Sequence, residues 1–253
     1  MKTNHQSYDY QKSFNRIDEY LDAPSGSYDE KNEIPSRGDL TYSNGFYVEC
    51  HAIFVDIRDS SELPHKYRRP HLARLYRAYI SEIVAIMNSY EICKEINIVG
   101  DSVSGIFEAS KKEHSKDAVN CAALVNSLVR ALNYKLCKRG KDPIKIGIGI
   151  DQGRALMINA GNSGTGIKDI VWMGDTVNSA SNLCGQANKD HIDVIAIGSK
   201  VYEKLAGAKN VYDEYYQSWF INNQSKDLYH ANVINIEMND WLEEKQNQSP
   251  CSM

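Results

Sequence analysis

The alternation of apolar patterns between residues 48 and 159 restricts the fold most strongly. Residues 48–57 (VECHAIFVDI) form an apolar run typical of a buried strand, and apolar side chains recur every three or four positions over 69–90, which predicts a helix. Two strand patterns follow at 91–99 and 102–108, and Gly100-Asp101 between them suits a hairpin turn. A second helix pattern covers 114–137 and a strand pattern begins at Lys145. The order β–α–β–β–α–β predicts an α+β (layered α/β) fold with a ferredoxin-like core.

The remaining patterns extend this core on both sides. We expect strands at 145–151 and 154–159, broken at Gln152-Gly153, then a GNSGTG hairpin loop at 161–166, a strand at 170–173, a helix at 176–187, a strand at 194–198, a short helix at 199–205 and two strands near 211–220 and 226–236. Residues 1–44 are predicted to be an N-terminal extension, with a helix over 8–21 and a loop over 24–44. Residues 45–237 form the main domain, and 238–253 a mobile polar tail.

Composition excludes several classes of function. The net charge of -4 argues against a nucleic-acid-binding protein, which usually carries a basic face. The absence of any run of 18 apolar residues predicts no membrane span, and the first residues show no signal peptide, so we expect a cytoplasmic protein. The six cysteines contain no CxxC pair and are expected to be free thiols in a reducing compartment.

Two aspartates follow apolar strands. Asp56 ends the segment IFVD and Asp101 ends INIVGD, and a carboxylate in such a place costs free energy unless another group compensates it. If the two strands are neighbours, both carboxylates meet at one edge of the sheet, where a divalent cation would remove their repulsion. The alternative is that each aspartate caps the next element or stabilises its own turn.

Two polar segments are candidates for binding a nucleotide. Ser60 or Ser61 is expected to cap a short helix whose free backbone N–H groups would receive a phosphate beside the metal site, although such a cap is more often without a ligand. Asn178 and Asn182 are four positions apart, share one face of a predicted helix and have amides that can bind a ribose or phosphate oxygen. An ordinary polar helix surface is the alternative for this pair.

Four segments in the same order resemble the class III nucleotidyl cyclases, the family of adenylate and guanylate cyclase catalytic domains. They are FVDIRDSSEL (54–63), INIVGDSVSGIF (96–107), KIGIGIDQGRALM (145–157) and WMGDTVNSASNL (172–183). The resemblance covers about residues 46–236 and implies a central, mostly antiparallel sheet. It also implies a reaction in which the ribose 3′-hydroxyl of a nucleoside triphosphate attacks the α-phosphorus and diphosphate leaves.

The resemblance assigns roles to individual residues. Two divalent cations, Mn²⁺ or Mg²⁺, are expected at Asp56, Asp101 and the backbone carbonyl of Ile57. The backbone near Ser60 and Ser61 matches the phosphate-binding loop of the family. Asn178 matches the asparagine that orients the ribose. Because family sites form between two subunits, a chain with both half-sites is expected to act as a two-fold homodimer.

The chain departs from the family at the positions of the transition-state arginine and of the two base-reading residues. Asn182 replaces the arginine, so another cation is needed, and Arg154 and Lys145 are candidates. Asn97 and Val171 stand where purine cyclases have Lys or Glu and Asp or Cys, so neither purine pattern is met.

These departures make the chain most similar to the pyrimidine cyclases of bacterial Pycsar antiphage defence, which make cyclic CMP or cyclic UMP. Tyr47 or Phe54 is expected to pack on the base, although core packing is the simpler role for Phe54. The resemblance further implies a downstream effector that senses the cyclic nucleotide. The alternatives are a purine cyclase with unusual base contacts and a non-catalytic module that binds nucleotide or dimerises.

Overall fold

The computed structural model describes residues 5–24, 26, 28–162 and 167–251. Seven α-helices and nine strands are found in these residues, and three short 3₁₀ helices lie at Arg37–Asp39, Ser60–Glu62 and Tyr216–Trp219. The helices are α1 (Tyr10–Leu21), α2 (Leu63–Lys66), α3 (Arg69–Asn88), α4 (Glu113–Cys137), α5 (Asp175–Gln186), α6 (Ser199–Lys204) and α7 (Ile236–Gln248). The strands are β1 (Tyr28–Lys31), β2 (Gly45–Ile57), β3 (Cys93–Val99), β4 (Ser102–Glu108), β5 (Ile146–Asn162), β6 (Ile167–Met173), β7 (Ile195–Ile197), β8 (Ile221–Asn223) and β9 (Leu228–Ala231).

The strands of the described residues form one mixed, mostly antiparallel sheet. Its order is β3-β4-β2-β5-β7-β9-β8, with β1 paired to β2 and β6 paired to β5. The part β3-β4-β2-β5, with α3 and α4 as its two crossovers, is the predicted ferredoxin-like core, so the predicted fold class is confirmed. The hairpin at Gly100 is also confirmed, and Gly100 has the positive φ of 64° that such a turn requires.

The two faces of the sheet are covered by different helices. On one face Ile53, Val55 and Ile57 of β2 pack with α3 and α4 in the main hydrophobic core. On the other face Ala52 and Phe54 pack with Ala180 of α5. Because neighbouring residues of a strand point to opposite faces, the alternation along β2 decides which side chains lie beneath α5.

The segment between residues 28 and 44 joins the sheet. It was predicted to be a loop, yet β1 pairs in parallel with the start of β2, from Tyr28↔Gly45 to Lys31↔Val48. Leu40 is buried beside Phe46, and Arg37 forms a bidentate ion pair with the buried carboxylate of Glu95. These partners are distant in sequence, so the composition of the segment alone does not reveal them.

The predicted break at Gln152-Gly153 was wrong. β5 runs without interruption through both residues, which pair with His51 and Cys50 of β2. Gly153 is needed for close packing rather than for a turn, because a Cβ there would lie 2.6 Å from Oγ1 of Thr176. Of the predicted GNSGTG loop, residues 163–166 lie outside the described residues, and the strands beside it pair up to Asn162↔Ile167.

The C-terminal region also differs from the prediction. Residues 238–253 were expected to be a mobile tail, but α7 occupies most of them, with Leu242 buried and Asn235 capping the helix. A disulfide joins Cys137 at the end of α4 to Cys251, so the prediction of six free thiols was wrong for this pair. The four remaining cysteines are free.

The prediction of a strand near 211–220 was also wrong. The end of this segment forms a 3₁₀ helix, and the strands that pair in this region are β8 and β9. No helix of the described residues has the length and apolarity needed to cross a membrane.

A buried polar network connects β2 to α4. The ring of His51 is fully buried, its Nδ1 lies 3.2 Å from the carbonyl oxygen of Glu108, and its Nε2 lies 2.9 Å from the hydroxyl of Ser115. A neutral ring satisfies both contacts, with Nδ1–H donating to the carbonyl and Nε2 accepting from the hydroxyl. Burial, only partly opposed by the hydrogen bond to the Glu108 carbonyl, lowers the pKa of His51 to about 4.

The lowered pKa of His51 predicts acid sensitivity. The unfolded chain protonates this histidine near pH 6.5 and the folded chain only near 4, so protons favour unfolding between these values. We expect His51 to reduce the free energy of unfolding by about 3 kcal/mol between pH 6.5 and 4. Urea unfolding of wild type and His51→Gln across this range measures the difference in slope. The exposed His65→Gln serves as the control, and equal pH slopes for wild type and His51→Gln would contradict the prediction.

Candidate active site

Asp56 and Asp101 lie together at one edge of the sheet. Asp56 is the penultimate residue of β2, and Asp101 is in the β3–β4 turn, directly before the strand that pairs with β2. The pKa of Asp56 is raised by burial and then by the negative charge of Asp101. The structure therefore brings together the two carboxylates that the sequence singled out.

This pair fits a divalent cation. Oδ2 of Asp101 is buried and has no hydrogen-bond partner among the described residues, so this oxygen has lost water without gaining a protein donor. The side chain of Ile57 is in the main core, which leaves its backbone carbonyl as the group that a ligand can use. Among the described residues no group of three or more His, Cys, Asp or Glu side chains is placed to hold a metal. Two carboxylates and one carbonyl thus form a partial set of oxygen donors, which substrate oxygens and water would complete.

Arg58 is a member of this site that the sequence analysis did not identify. Its guanidinium is almost fully buried and donates from one nitrogen to Oδ2 of Asp56 at 3.3 Å. Its other terminal nitrogen donates to the carbonyl of Gly185 on α5 at 3.2 Å. The Arg58 charge lowers the pKa of Asp56, against the effects of burial and of Asp101. Its position directly after Asp56-Ile57 is the sequence signal for this role. The resemblance, however, indicates only a phosphate-binding loop in that segment.

The segment after Asp56 forms a tight turn and a short helix. Asp59 adopts a left-handed conformation with φ of 55°, and Ser60–Glu62 then form one turn of 3₁₀ helix. Neither Ser60 nor Ser61 caps this turn or the following α2 with its side chain, so the predicted capping role was wrong. The first N–H groups of a helical turn have no acceptor within the turn, so the backbone of Ser60 and Ser61 still offers donors.

One row of residues crosses the sheet beside the aspartates. Asn97 of β3 pairs with Ser104 of β4, which pairs with Phe54 of β2, which pairs with Gly149 of β5. Directly paired residues of antiparallel strands point to the same face, and this face also carries Asp56 and α5. Phe54 is only partly buried against the small cluster around Ala52, so part of its ring is open to a ligand. The structure thus brings Asn97 and Phe54 into one row near the carboxylates.

Two glycines let α5 lie directly on β5. A Cβ at Gly147 would be 2.7 Å from the carbonyl oxygen of Cys184, and one at Gly149 would overlap with the backbone of Ala180 and Cys184. The helix buries Thr176, Ala180, Leu183 and Cys184. Asn178 and Asn182 are exposed on its outer side, as their spacing predicted.

Arg154 and Val171 lie away from the row that contains Asn97 and Phe54. Arg154 pairs with Glu49 of β2, so its side chain is on the sheet face opposite α5. There its guanidinium stacks 3.5 Å from the ring centre of Tyr47 and donates to Glu30 from Nε at 2.7 Å. Val171 is exposed on β6 and pairs with Ile158, toward the other end of β5 from Gly149. The structure does not bring either residue to the row that contains Asn97.

Asn178 and Asn182 are not bonded to the carboxylate pair in the described part of the chain. In the part of the chain that the structure describes, no hydrogen bond or ion pair joins Asn178 or Asn182 to Asp56, Asp101 or the turn at Ser60. Both asparagines face away from the sheet that carries the aspartates.

Comparisons with known sequences identify the fold family. The model of the adenylate and guanylate cyclase catalytic domain matches residues 45–220. A uridylate cyclase from Gulbenkiania mobilis is 43% identical over 260 aligned residues, which cover 97% of this chain and 100% of that protein. A uridylate cyclase from Treponema porcinum is 35% identical over 93% of this chain and 81% of its own length.

Solved structures agree with the observed fold. The adenylyl cyclase CyaB from P. aeruginosa matches with a TM-score of 0.58 and 23% identity, over 65% of this chain and 84% of its own. The guanylyl cyclase Cya2 matches with a TM-score of 0.60 and 16% identity, over 76% of this chain and 95% of its own. At these identities the two structures support the fold of the chain alone.

The geometry of the carboxylate pair predicts the effect of Asp101→Asn. The change removes repulsion at Asp56, so we expect the metal-free protein to gain stability, by about 1 kcal/mol at most because Asp56 is partly exposed. Mn²⁺ should raise the melting temperature of wild type but not of this variant. Thermal unfolding with and without Mn²⁺ measures both effects. Asp240→Asn makes the same chemical change at an exposed position on α7 and is the control. A variant that Mn²⁺ still stabilises as strongly as wild type would contradict the metal assignment.

Proposed function

The chain belongs to the adenylate and guanylate cyclase catalytic-domain family, and we propose that it is a uridylate cyclase that converts UTP to 3′,5′-cyclic UMP and diphosphate. The observation that carries this proposal is the near full-length identity of 43% to one uridylate cyclase, together with 35% identity to a second. Asn97 and Val171 support it, because neither matches the residues with which purine cyclases read their base. An asparagine amide can donate to and accept from the uracil edge.

The carboxylates of Asp56 and Asp101 and the carbonyl of Ile57 would hold two divalent cations. Such ions neutralise the triphosphate and make the ribose 3′-hydroxyl a stronger nucleophile. Arg58 partly offsets the raised pKa of Asp56 through its contact to Oδ2 at 3.3 Å, which favours the ionised form that a metal ligand requires. The backbone N–H groups of Ser60 and Ser61 would bind phosphate oxygens next to this pair.

The remaining groups would position the substrate. Asn178 orients the ribose so that its 3′-oxygen is in line with the α-phosphorus, and Asn182 on the same helix face contacts the adjacent phosphate. The new bond joins the 3′-oxygen to phosphorus, the bond to the diphosphate oxygen breaks, and the 3′-hydroxyl proton is released. Phe54, Asn97 and Val171 would contact the base. Catalysis by this chain is thus mostly positioning and charge stabilisation.

A cation is still needed to stabilise charge on the α-phosphate, because Asn182 replaces the family arginine. Arg154 remains a candidate for this role, but it must first leave Glu30 and the ring of Tyr47, which hold it on the opposite sheet face. Lys145 is exposed directly before β5, where its carbonyl accepts from the backbone N–H of Arg58 at 2.8 Å. The Lys145 side chain is therefore closer than the Arg154 side chain to the carboxylates of Asp56 and Asp101.

The exposure of Asn178 and Asn182 on the outer side of α5 supports a homodimer with the active sites at its interface. Asp56 and Asp101 of one chain would act with Asn178 of the other, which gives two sites for each two-fold dimer. We further infer that cyclic UMP acts as a second messenger for an effector with a cyclic-nucleotide sensor, as in antiphage defence. The similarity to pyrimidine cyclases, and not a feature of the fold, supports that role.

Substrate specificity is tested with the purified chain, Mn²⁺ and each of the four ribonucleoside triphosphates. We expect UTP to be converted fastest, and mass spectrometry identifies the product as cyclic UMP. Cyclic CMP as the main product would keep the pyrimidine class but reject the uridylate assignment. A cyclic purine product would support the alternative of a purine cyclase with unusual contacts. Tight nucleotide binding without any product would support the non-catalytic module.

The shared site is tested by mixing two inactive variants. Asp101→Asn removes a metal ligand and Asn178→Ala removes the ribose contact, so each homodimer should lose nearly all turnover. After unfolding and refolding the two together, half of the dimers are mixed and each mixed dimer holds one complete site. Activity should recover to about a quarter of the wild-type value. Mixing Asp101→Asn with Asp56→Asn gives no complete site and is the control. Failure of the first mixture to exceed the second, with dimers present, would reject sites shared between chains.

A further inference from the structure

A basic cavity of about 530 Å³ lies between α3 and the C-terminal end of α4, outside the candidate active site. Every titratable side chain that lines it is basic, and no carboxylate does so. These groups are His71 and Arg74 of α3, Lys135 of α4, Arg139 and Lys141. The chain as a whole has a net charge of -4, so four positive charges at one cavity are a strong local concentration of the opposite sign.

The four charges have no partner of opposite sign. None of Arg74, Lys135, Arg139 and Lys141 forms an ion pair with any residue that the structure describes. Arg139 donates to the carbonyl of Lys135 at 2.7 Å, and the Lys135 ammonium lies 5.0 Å from the ring centre of Trp241. These contacts orient the two side chains without neutralising them. The cavity therefore retains the charge needed to bind an anion.

His71 supplies a separate indication of a ligand. Its Nε2 is buried and has no hydrogen-bond partner among the described residues, although the ring is held 4.9 Å from the ring of Tyr67. Burial, followed by the charges of Lys141 and Arg74, lowers the pKa of His71. A buried nitrogen without a partner is costly in an empty cavity and becomes useful when a ligand supplies the missing group.

The floor of the cavity is apolar. Leu75 of α3 and Leu136 of α4 are buried in the main core, and Leu132 and Ala78 complete the lining. A purely inorganic anion would leave this surface unused. The volume lies in the range of small-ligand sites, and an apolar floor with polar groups at one side is the usual composition of such sites.

We propose that this cavity binds a small organic phosphate, with its phosphate on Arg74, Arg139 and Lys141 and its apolar or aromatic body on Leu75, Leu132 and Leu136. The site is separate from the one assigned to UTP, because α3 and α4 cover the sheet face opposite the one with Asp56 and α5. The cavity is nevertheless next to the segment that runs from Asp56 to Tyr67. Tyr67 ends that segment, its ring contacts His71, and its hydroxyl donates to Asp142 at 3.1 Å.

Binding is tested by calorimetry with 1-naphthyl phosphate, which carries both a phosphate and an aromatic body. We expect inorganic phosphate and 1-naphthol, each of which lacks one half, to bind at least tenfold more weakly. The double variant Arg74→Glu/Arg139→Glu should lose affinity at least tenfold. Arg77→Glu makes one such charge reversal on the exposed side of α3 and should bind as wild type. Asp101→Asn should also bind as wild type, since the proposal places the probe away from the carboxylate pair.

A second measurement keeps the test independent of the folding of the double variant. In wild type, bound 1-naphthyl phosphate should protect Lys135 and Lys141 from acetylation, which mass spectrometry detects, while the exposed Lys94 on β3 should react unchanged. The proposal is overturned by undetectable binding at millimolar probe, by equal affinity of the double variant, or by loss of binding in Asp101→Asn alone. A short single-stranded oligonucleotide that binds here more tightly than the probe would show a nucleic-acid site instead and would also overturn it.

Discussion

The contact between α5 and two glycines of β5 fixes the geometry on which the candidate site depends. β2 and β5 pair over thirteen residues, from Gly45↔Ile158 to Ile57↔Ile146, and thereby set the level of Asp56 opposite Gly147. The absence of side chains at Gly147 and Gly149 lets the backbone of α5 rest on the sheet. A larger residue at either position would lift the helix and move Asn178 together with it.

Much of the fold could be predicted because its signals are local. Long helices such as α3 and α4 repeat apolar residues at helical spacing, and the buried strands of the core are continuous apolar runs. Asp56 and Asp101 were recognisable for the same reason, since a carboxylate that ends an apolar strand is conspicuous. Their proximity was predicted on the condition that the two strands are neighbours. In the structure β4 lies between β2 and β3, and Asp101 is near Asp56 because it lies in the turn directly before β4.

The errors have a physical cause in contacts between distant residues. α7 has little apolar surface of its own, and it is held by Leu242, by the Cys137–Cys251 disulfide and by the Tyr134 hydroxyl, which donates to the carbonyl of Lys245 at 2.9 Å. The false break in β5 also affected the prediction of where the Arg154 side chain lies. Two separate strands have no common alternation, whereas one continuous strand places Arg154 on the face opposite Gly147 and Gly149.

Arg58 reduces the electrostatic cost of keeping two carboxylates together in the candidate metal site. Two partly buried carboxylates destabilise a metal-free protein, and the Arg58 guanidinium offsets part of that cost by its contact with Asp56. The same group donates to Gly185, at the end of the helix that carries Asn178. In the proposed dimer, Asp56 and Asn178 of one chain serve different active sites. In that dimer the Arg58 guanidinium would contact both the carboxylate of one site and the helix α5 that carries the ribose-binding asparagine of the other.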